Sequence, residues 1–234
     1  MDRVNDPRAA RPIPPMRSNR GWQDAPLEAT DEPLVPVTGA SARIVDRAEY
    51  HRWGVDGAMP ESWLRADVAA RLGRAADGLP GGMTLVVWDG YRPLAVQAHL
   101  FRNYLLELAA VHPDMPADAL EDAASKYVSM PSRSALCPPP HLTGGAVDVT
   151  LGDAAGEPLD LGTPFDAFVP EAEAHALEDV PGGPRDLRRL LHWAMHEQGF
   201  SNYAAEWWHY DHGNQFWAHV TGHTAIYGPA ERPG

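Results

Sequence analysis

Three short polar clusters, widely separated in the chain, constrain the fold most strongly because they adjoin segments with a regular apolar pattern. The clusters are residues 89–93, 141–148 and 206–209. The first follows residues 84–88, a β-branched apolar run typical of a strand, and a helical pattern begins directly after it. Because a strand end is a place where a rigid scaffold presents side chains into a cleft, we expect Arg92 to line one.

The other periodic segments predict an α+β fold. Residues 144–151 alternate, so that Asp148 shares the small, polar face of a strand with Ala146 and Thr150. Residues 206–209 are expected to form another strand. Helical spacing is found in residues 61–78, in the segment that begins at Leu94, and between the turn at 181–184 and Gly199. This order predicts a single compact α+β domain with a central antiparallel sheet flanked by helices, with the polar clusters on the sheet.

The length of 234 residues suits one well-buried domain with an appendage. Residues 1–36 contain many Pro and Arg residues and little apolar periodicity, which predicts an extended or disordered N-terminal arm. Residues 37–234 are then expected to form the folded domain that carries all three clusters.

Charge and cysteine content exclude several classes of partner. Asp and Glu outnumber Lys and Arg by 32 to 19, which gives a formal net charge of -13, and no basic face is visible for a phosphate backbone. We therefore expect no nucleic-acid partner. The single cysteine allows no internal disulfide, and neither a secretory signal nor a membrane-spanning segment is apparent. The expected location is the cytoplasm, without a membrane partner.

The residue types in the clusters are those of a metal site with one ion. His141, Asp148 and His209 offer two imidazoles and one carboxylate, which can hold zinc and leave its fourth position open for water. Asp148 lies within an apolar strand, where a carboxylate is costly unless it is paired or bound to a cation. The alternative for each histidine is an ordinary side chain hydrogen-bonded to backbone or solvent, and for His209 alone the two interpretations are about even.

Two further side chains supply the remaining groups of a hydrolase. Glu206 can take a proton from zinc-activated water and pass it to a leaving amine, and its alternative is a surface glutamate. Arg92 can stabilise an oxyanion, an effect of roughly 3–4 kcal/mol per donor, and its alternative is a salt bridge with Asp89. In a flat strand, residues 206 and 209 point to opposite faces, so this assignment requires a bend or bulge near Trp207.

The clusters resemble the zinc D-Ala-D-Ala dipeptidases related to VanX, which are themselves related to zinc D-Ala-D-Ala carboxypeptidases. The shared pattern is His141, six residues, Asp148, and later Glu206, two residues, His209, with Arg92 in the first cluster. The resemblance extends over residues 33–225, because the segment 159–166 also looks like family sequence. It implies one zinc ion per chain on the two histidines and Asp148, Glu206 as general base and acid, and Arg92 at the oxyanion.

By this resemblance, residues 37–234 are a zinc peptidase domain that hydrolyses D-Ala-D-Ala or a similar D,D-dipeptide. A D,D- or L,D-carboxypeptidase acting on longer cell-wall peptides is the alternative enzyme, and a zinc-stabilised binding module without turnover is the alternative outside enzymes. Pro139 stands where the family often has a serine, and a proline offers neither a hydroxyl nor an N–H, so the resemblance implies peptide hydrolysis but not the exact dipeptide. Neither the substrate-binding residues nor the oligomeric state follows from the sequence.

Other potential ligands fit a metal site less well. Cys137 and His141 are separated by three prolines, which favour an extended spacing of some ~12 Å between the two residues, too far to share one ion. His192 and His196 are one helical turn apart but lack the glutamate of a His-Glu-x-x-His arrangement. We therefore predict neither Cys137 nor this histidine pair as a ligand.

Overall fold

The computed structural model describes residues 5–132 and 134–233. Over these residues the strands are β1 (Leu34–Pro36), β2 (Ile44–Asp46), β3 (Trp63–Arg65), β4 (Thr84–Asp89), β5 (Ala146–Gly152), β6 (Ser201–Asn202) and β7 (His209–Asp211). The α-helices are α1 (Pro7–Ala10), α2 (Glu49–Arg52), α3 (Ala66–Asp77), α4 (Leu94–Val111), α5 (Ala117–Ser125), α6 (Gly183–His196) and α7 (Gln215–Thr221).

A five-stranded sheet in the order β2–β4–β5–β7–β6 forms the centre of the protein. Strand β2 pairs with β4 in parallel, and the other neighbours are antiparallel. A register shift after Val87 places Asp89 opposite Asp148, and Asp148 in turn lies opposite His209. Three polar residues of three neighbouring strands therefore lie in one row across the sheet. The predicted α+β fold with a central sheet flanked by helices is confirmed, and the sheet is antiparallel as predicted except for β2, which pairs in parallel.

The main apolar core covers the face of the sheet opposite Asp148. Val147, Val149 and Leu151 alternate with the polar positions of β5, and all three are fully buried. They belong to one apolar cluster with side chains of α3 and α6, among them Val68, Leu72, Leu187, Leu190, Leu191 and Met195. Helix α3 is shorter than the predicted helix over 61–78, because residues 63–65 pair with β1 as a strand instead.

A second, smaller apolar cluster joins α4 and α5. Its buried members are Phe101, Ala124 and Val128, and aromatic side chains such as Tyr104 and Tyr127 pack against it. Helix α4 begins at Leu94 as the apolar spacing predicts. Helix α4 and residues 127–129, which follow α5, form one wall of a cavity next to the polar row.

The segment before residue 37 lies along the domain over the residues that the structure describes. Ala9 and Ile13 are buried, and the indole of Trp22 meets the ring of Phe216 edge to face at 4.6 Å between ring centroids. Strand β1 pairs with β3. The division of the chain at residue 37 stays a prediction. No helix among the described residues has the length and apolar character needed to cross a membrane.

Candidate active site

The side chains of His141, Asp148 and His209 converge at the polar row of the sheet. His141 Nε2 lies 3.2 Å from His209 Nδ1. Asp148 Oδ2 lies 3.4 Å from His141 Nε2, and Asp148 Oδ1 lies 3.0 Å from His209 Nδ1. One ligand atom from each residue falls within 4.8 Å of the others, and all three residues are buried. The structure thus brings together the three residues predicted as ligands.

The loop that carries His141 holds its ring in a defined orientation. The residue lies in a 3-10 helix, Pro140–Thr143, that ends at Gly144 with a φ of 70°. His141 Nδ1 is 2.8 Å from the carbonyl oxygen of Gly90. A carbonyl only accepts hydrogen bonds, so Nδ1 carries the hydrogen and Nε2 keeps its lone pair toward Asp148 and His209. Gly145 permits a close backbone approach, since a Cβ there would lie 2.6 Å from the carbonyl oxygen of His212.

Glu206 reaches the same site because the chain turns before β7. Turns precede and follow Glu206, and the strand begins only at His209, so the strand predicted over 206–209 is wrong for its first three residues. The bend required near Trp207 is present: the His209 amide donates to the carbonyl oxygen of Glu206 at 3.4 Å. Glu206 Oε2 lies 3.9 Å from His209 Nδ1. Burial raises the pKa of the Glu206 carboxyl well above its usual range, although His209 beside it acts in the opposite direction.

Arg92 is buried with acceptors around its guanidinium. Its Nε donates to Asp89 at 2.8 Å and one Nη donates to Gln97 Oε1 at 2.9 Å. The other Nη lies 3.5 Å from Asp148 Oδ2 and 3.4 Å from the Tyr50 hydroxyl oxygen. Burial acts to lower the pKa of Arg92, but the acidic groups around it outweigh burial and raise it. The salt bridge to Asp89 is therefore present, and it fixes the guanidinium beside the ligand set.

Several polar residues of the site were missed by sequence reasoning. The Tyr50 hydroxyl donates to Asp166 Oδ2 at 2.7 Å, and burial raises the pKa of Asp166 to about 7. Asp166 has a φ of 56°, in the left-handed region. Asp166 is the last residue of the segment 159–166, and the resemblance of that segment to the family was the sequence feature that could have identified it. Gln97, which holds Arg92, and Asp211, which contacts His209, were also missed.

A cavity of about 310 Å³ opens beside these side chains. The predicted site residues line one part of it together with Tyr50 and Asp166. The remaining wall is largely apolar and aromatic, and it includes Leu100, Tyr104, Tyr127, Val128, Phe168 and Phe216. Such a cavity, with a few polar groups converging at one side, has the form of a site for a small molecule.

The other potential ligands lie elsewhere. Cys137 is a partly buried free cysteine outside the ligand set. The His192 and His196 rings stack in α6 at 5.9 Å between centroids, and His192 Nδ1 lies 3.4 Å from Asn202 Oδ1. Within residues 5–132 and 134–233, no second group of three His, Cys, Asp or Glu side chains converges as His141, Asp148 and His209 do.

Three convergent ligands, a buried carboxyl and a fixed guanidinium at one side of a cavity together define a metal-dependent hydrolase. The chain belongs to the D-Ala-D-Ala dipeptidase family of peptidases, because the model of that family matches residues 64–224. It is therefore an enzyme that hydrolyses peptide bonds. The family resemblance and the enzyme class predicted from the sequence are confirmed, and the matched range contains all five predicted site residues.

Individual relatives agree with this assignment. A D-alanyl-D-alanine dipeptidase from Synechocystis is 30% identical over 217 residues, which span 82% of this chain and 87% of the relative. One from Streptomyces coelicolor is 35% identical over 177 residues, or 70% of this chain and 83% of the relative. Among solved structures, a variant of the D,D-pentapeptidase VanY in complex with Zn(II) aligns with 71% of this chain and 83% of its own, with 16% identity and a TM-score of 0.43.

Proposed function

We propose that the protein is a zinc-dependent dipeptidase that hydrolyses D-Ala-D-Ala or a similar D,D-dipeptide, with one zinc ion on His141, Asp148 and His209. The observation that carries the proposal is the convergence of His141 Nε2, His209 Nδ1 and the Asp148 carboxylate. Two imidazole nitrogens and one carboxylate are a donor set that suits zinc and leaves a coordination position open. Bound zinc supplies a Lewis acid and lowers the pKa of a water molecule at the open position toward about 7.

Glu206 is the residue that we assign to proton transfer. Its carboxyl lies next to His209 Nδ1, at the edge of the ligand set, and it lines the cavity. From there it can take a proton from the attacking water and deliver it to the amine that leaves. A carboxyl that exchanges a proton in both directions works best when its pKa lies near the working pH, and burial moves the pKa of Glu206 upward in that direction.

Arg92 is the residue that we assign to the developing negative charge on the peptide carbonyl. Asp89 and Gln97 hold the guanidinium from two sides, so that it needs little reorganisation when the charge appears. Its permanent positive charge strengthens the hydrogen bond that it donates as the carbonyl oxygen becomes an oxyanion. The Asp89 salt bridge and the catalytic role are thus compatible.

The charge of the cavity supports a substrate with a free amino group. Asp148, Asp166 and Glu206 line it, and an ammonium group is favoured near such carboxyl groups. This favours a free dipeptide over the C-terminal bond of a longer, N-acylated cell-wall peptide. Pro139, where the family often has a serine, is buried and offers neither a hydroxyl nor an N–H, so the exact dipeptide stays part of the proposal. The cytoplasmic location stays a prediction.

The test compares D-Ala-D-Ala with N-acetyl-D-Ala-D-Ala as substrates of the zinc-loaded protein. A Glu206→Gln variant prepared in the same way is the control, since glutamine keeps the size of the side chain and cannot carry the proton. We expect cleavage of the free dipeptide only, and loss of that cleavage in the control. Cleavage of the acetylated form would favour a carboxypeptidase, and cleavage of neither by protein that holds zinc would refute the proposed substrate class.

A further inference from the structure

Asp211 is a buried carboxylate that the proposed reaction does not use. It lies two residues after His209 on β7, so both side chains project from the same face of the strand. Only 1% of Asp211 is exposed. Its oxygens Oδ1 and Oδ2 each lie 3.1 Å from His209 Nε2, the ring nitrogen on the side away from Asp148.

The contact fixes which nitrogen of His209 faces the other ligands. Both ring nitrogens face carboxylates, since Asp148 Oδ1 lies 3.0 Å from Nδ1. A metal ion requires the neutral ring, and because the Asp211 carboxylate only accepts hydrogen bonds, that ring keeps its hydrogen on Nε2 and presents the lone pair of Nδ1 toward His141 and Asp148. His141 has the opposite arrangement, with its Nδ1 hydrogen on the neutral carbonyl of Gly90 and its lone pair on Nε2. The two histidines thus differ in the nitrogen that they present. They also differ in the nearest group behind the ring, because Asp89 Oδ2 lies 3.4 Å from His141 Nδ1, farther than the Gly90 carbonyl, whereas Asp211 contacts His209 Nε2 directly.

Asp211 is itself held in place from α7. Asn214 Nδ2 donates to Asp211 Oδ1 at 2.6 Å, while Asn214 Oδ1 caps α7 by accepting from the Trp217 amide at 3.0 Å. Among the residues that the structure describes, His209 is the one basic side chain that forms an ion pair with Asp211. A carboxylate this deeply buried is costly unless a positive charge compensates it.

We propose that Asp211 is a positioning residue of the metal centre, which orients His209 for coordination through Nδ1 and makes its ring a stronger donor. The proposal rests on the zinc site of the proposed function. A carboxylate behind a ligating histidine raises the basicity of the ring, and loss of such a partner weakens metal binding about 10–100-fold. The competing explanation is that Asp211 only ties β7 to α7 through Asn214.

The test is the zinc affinity of Asp211→Asn, measured by competition with a chelator and without substrate. Asparagine keeps the size of the side chain, and its oxygen can still accept from His209 Nε2, but the charge is lost. We expect zinc affinity to fall about 10–100-fold. The matched control is Glu178→Gln, because Glu178 is a half-buried carboxylate that is also ion-paired, and it accepts hydrogen bonds from Arg189 and the Ile13 amide, away from the metal site.

Thermal unfolding of the metal-free proteins separates a loss of stability from a loss of affinity. The control is expected to lose stability and to keep its zinc affinity within threefold. Equal zinc affinity in Asp211→Asn and the parent, or an equal loss in Glu178→Gln, would overturn the proposal. If Asp211→Asn does not fold, ¹⁵N-histidine NMR of the zinc-loaded parent decides: we expect coordination through Nδ1 of one ligand and Nε2 of the other, and coordination through Nε2 of both would contradict it.

These readouts do not depend on turnover. A parent that binds zinc but leaves D-Ala-D-Ala intact would refute the proposed substrate and leave the role of Asp211 standing. A parent that does not bind zinc would refute the metal site and the role of Asp211 together.

Discussion

Replacement of Arg92 by lysine separates its charge from the geometry of its hydrogen bonds. In Arg92→Ala, the Asp89 carboxylate loses its buried partner, and breaking such a pair costs about 3–5 kcal/mol. That is a large part of the free energy of unfolding of a typical domain, about 5–15 kcal/mol. A loss of activity in Arg92→Ala would therefore not distinguish unfolding of the protein from loss of a catalytic group. Arg92→Lys keeps a positive charge beside Asp89, but one ammonium cannot also reproduce the planar contacts to Gln97 and Asp148.

The expected loss follows from those contacts. The missing bond leaves the buried Gln97 oxygen without its donor, which costs about 1–3 kcal/mol of stability and leaves the protein folded. Loss of a positioned oxyanion donor costs about 10²–10³ in kcat, or roughly 3–4 kcal/mol of transition-state stabilisation.

The assay combines kcat and KM on D-Ala-D-Ala with zinc stoichiometry and the thermal midpoint. We expect Arg92→Lys to retain zinc and lose turnover, whereas His141→Ala, measured in parallel, loses the metal. Zinc loss in Arg92→Lys equal to that in His141→Ala would refute the catalytic role, because Arg92 would then act by holding the ligand Asp148 in place. Turnover within threefold of the parent would refute the role of the hydrogen-bond geometry, because charge alone would then suffice.

Two further predictions concern the acids of the cavity. Glu206→Gln is expected to lower turnover about 10²–10⁴-fold with zinc retained. Burial raises the folded-state pKa of Glu206, so the metal-free parent loses stability as pH rises from the ordinary glutamate pKa up to the raised one, and the variant does not. The gap between their thermal midpoints in chelator should therefore widen with pH over that window, and a constant gap would contradict this. Tyr50→Phe removes the hydroxyl that donates to Asp166, which is expected to cost about 1–3 kcal/mol and to raise the pKa of Asp166 above about 7. The acid limb of kcat/KM should then move to higher pH, and an unmoved limb would show that ionised Asp166 is not required.

Apolar periodicity predicted the elements that are long enough to have a period. Strands β4 and β5 and helices α4 and α6 lie where their patterns place them, and they form the centre of the sheet and two of its covering helices. Strands β1, β2 and β3 have three residues each, too few for alternation to be visible, and their pairing depends on partners 27 to 41 residues away. The shortened start of α3 has the same cause, since β3 takes the residues before it.

The residues of the candidate site also differ in whether the sequence could predict them. Motif spacing identified side chains that the structure brings together, although the turn that lets Glu206 join His209 could only be stated as a requirement. Tyr50 and Asp166 are hydrogen-bonded although they are 116 residues apart in the sequence, so no local sequence pattern could predict their contact. Asp211 is different, because residues two apart on a strand share a face, and a carboxylate at that distance from a candidate ligand was a local signal.

The electrostatics of the site connect the proposed metal with the proposed substrate. Four carboxyl groups lie around the guanidinium of Arg92: Asp148 and Glu206 are buried, and Asp89 and Asp166 are half-buried. Burial raises the pKa of Asp89, Asp166 and Glu206, which means that their ionised forms lack sufficient positive charge nearby. A divalent ion on the ligand set offsets part of this excess, and the ammonium group of a dipeptide adds a further positive charge in the same cavity. An N-acetylated dipeptide brings no such charge, so we expect the carboxyl groups around the metal site to disfavour it, and the proposed selection for a free amine would follow from the same electrostatics.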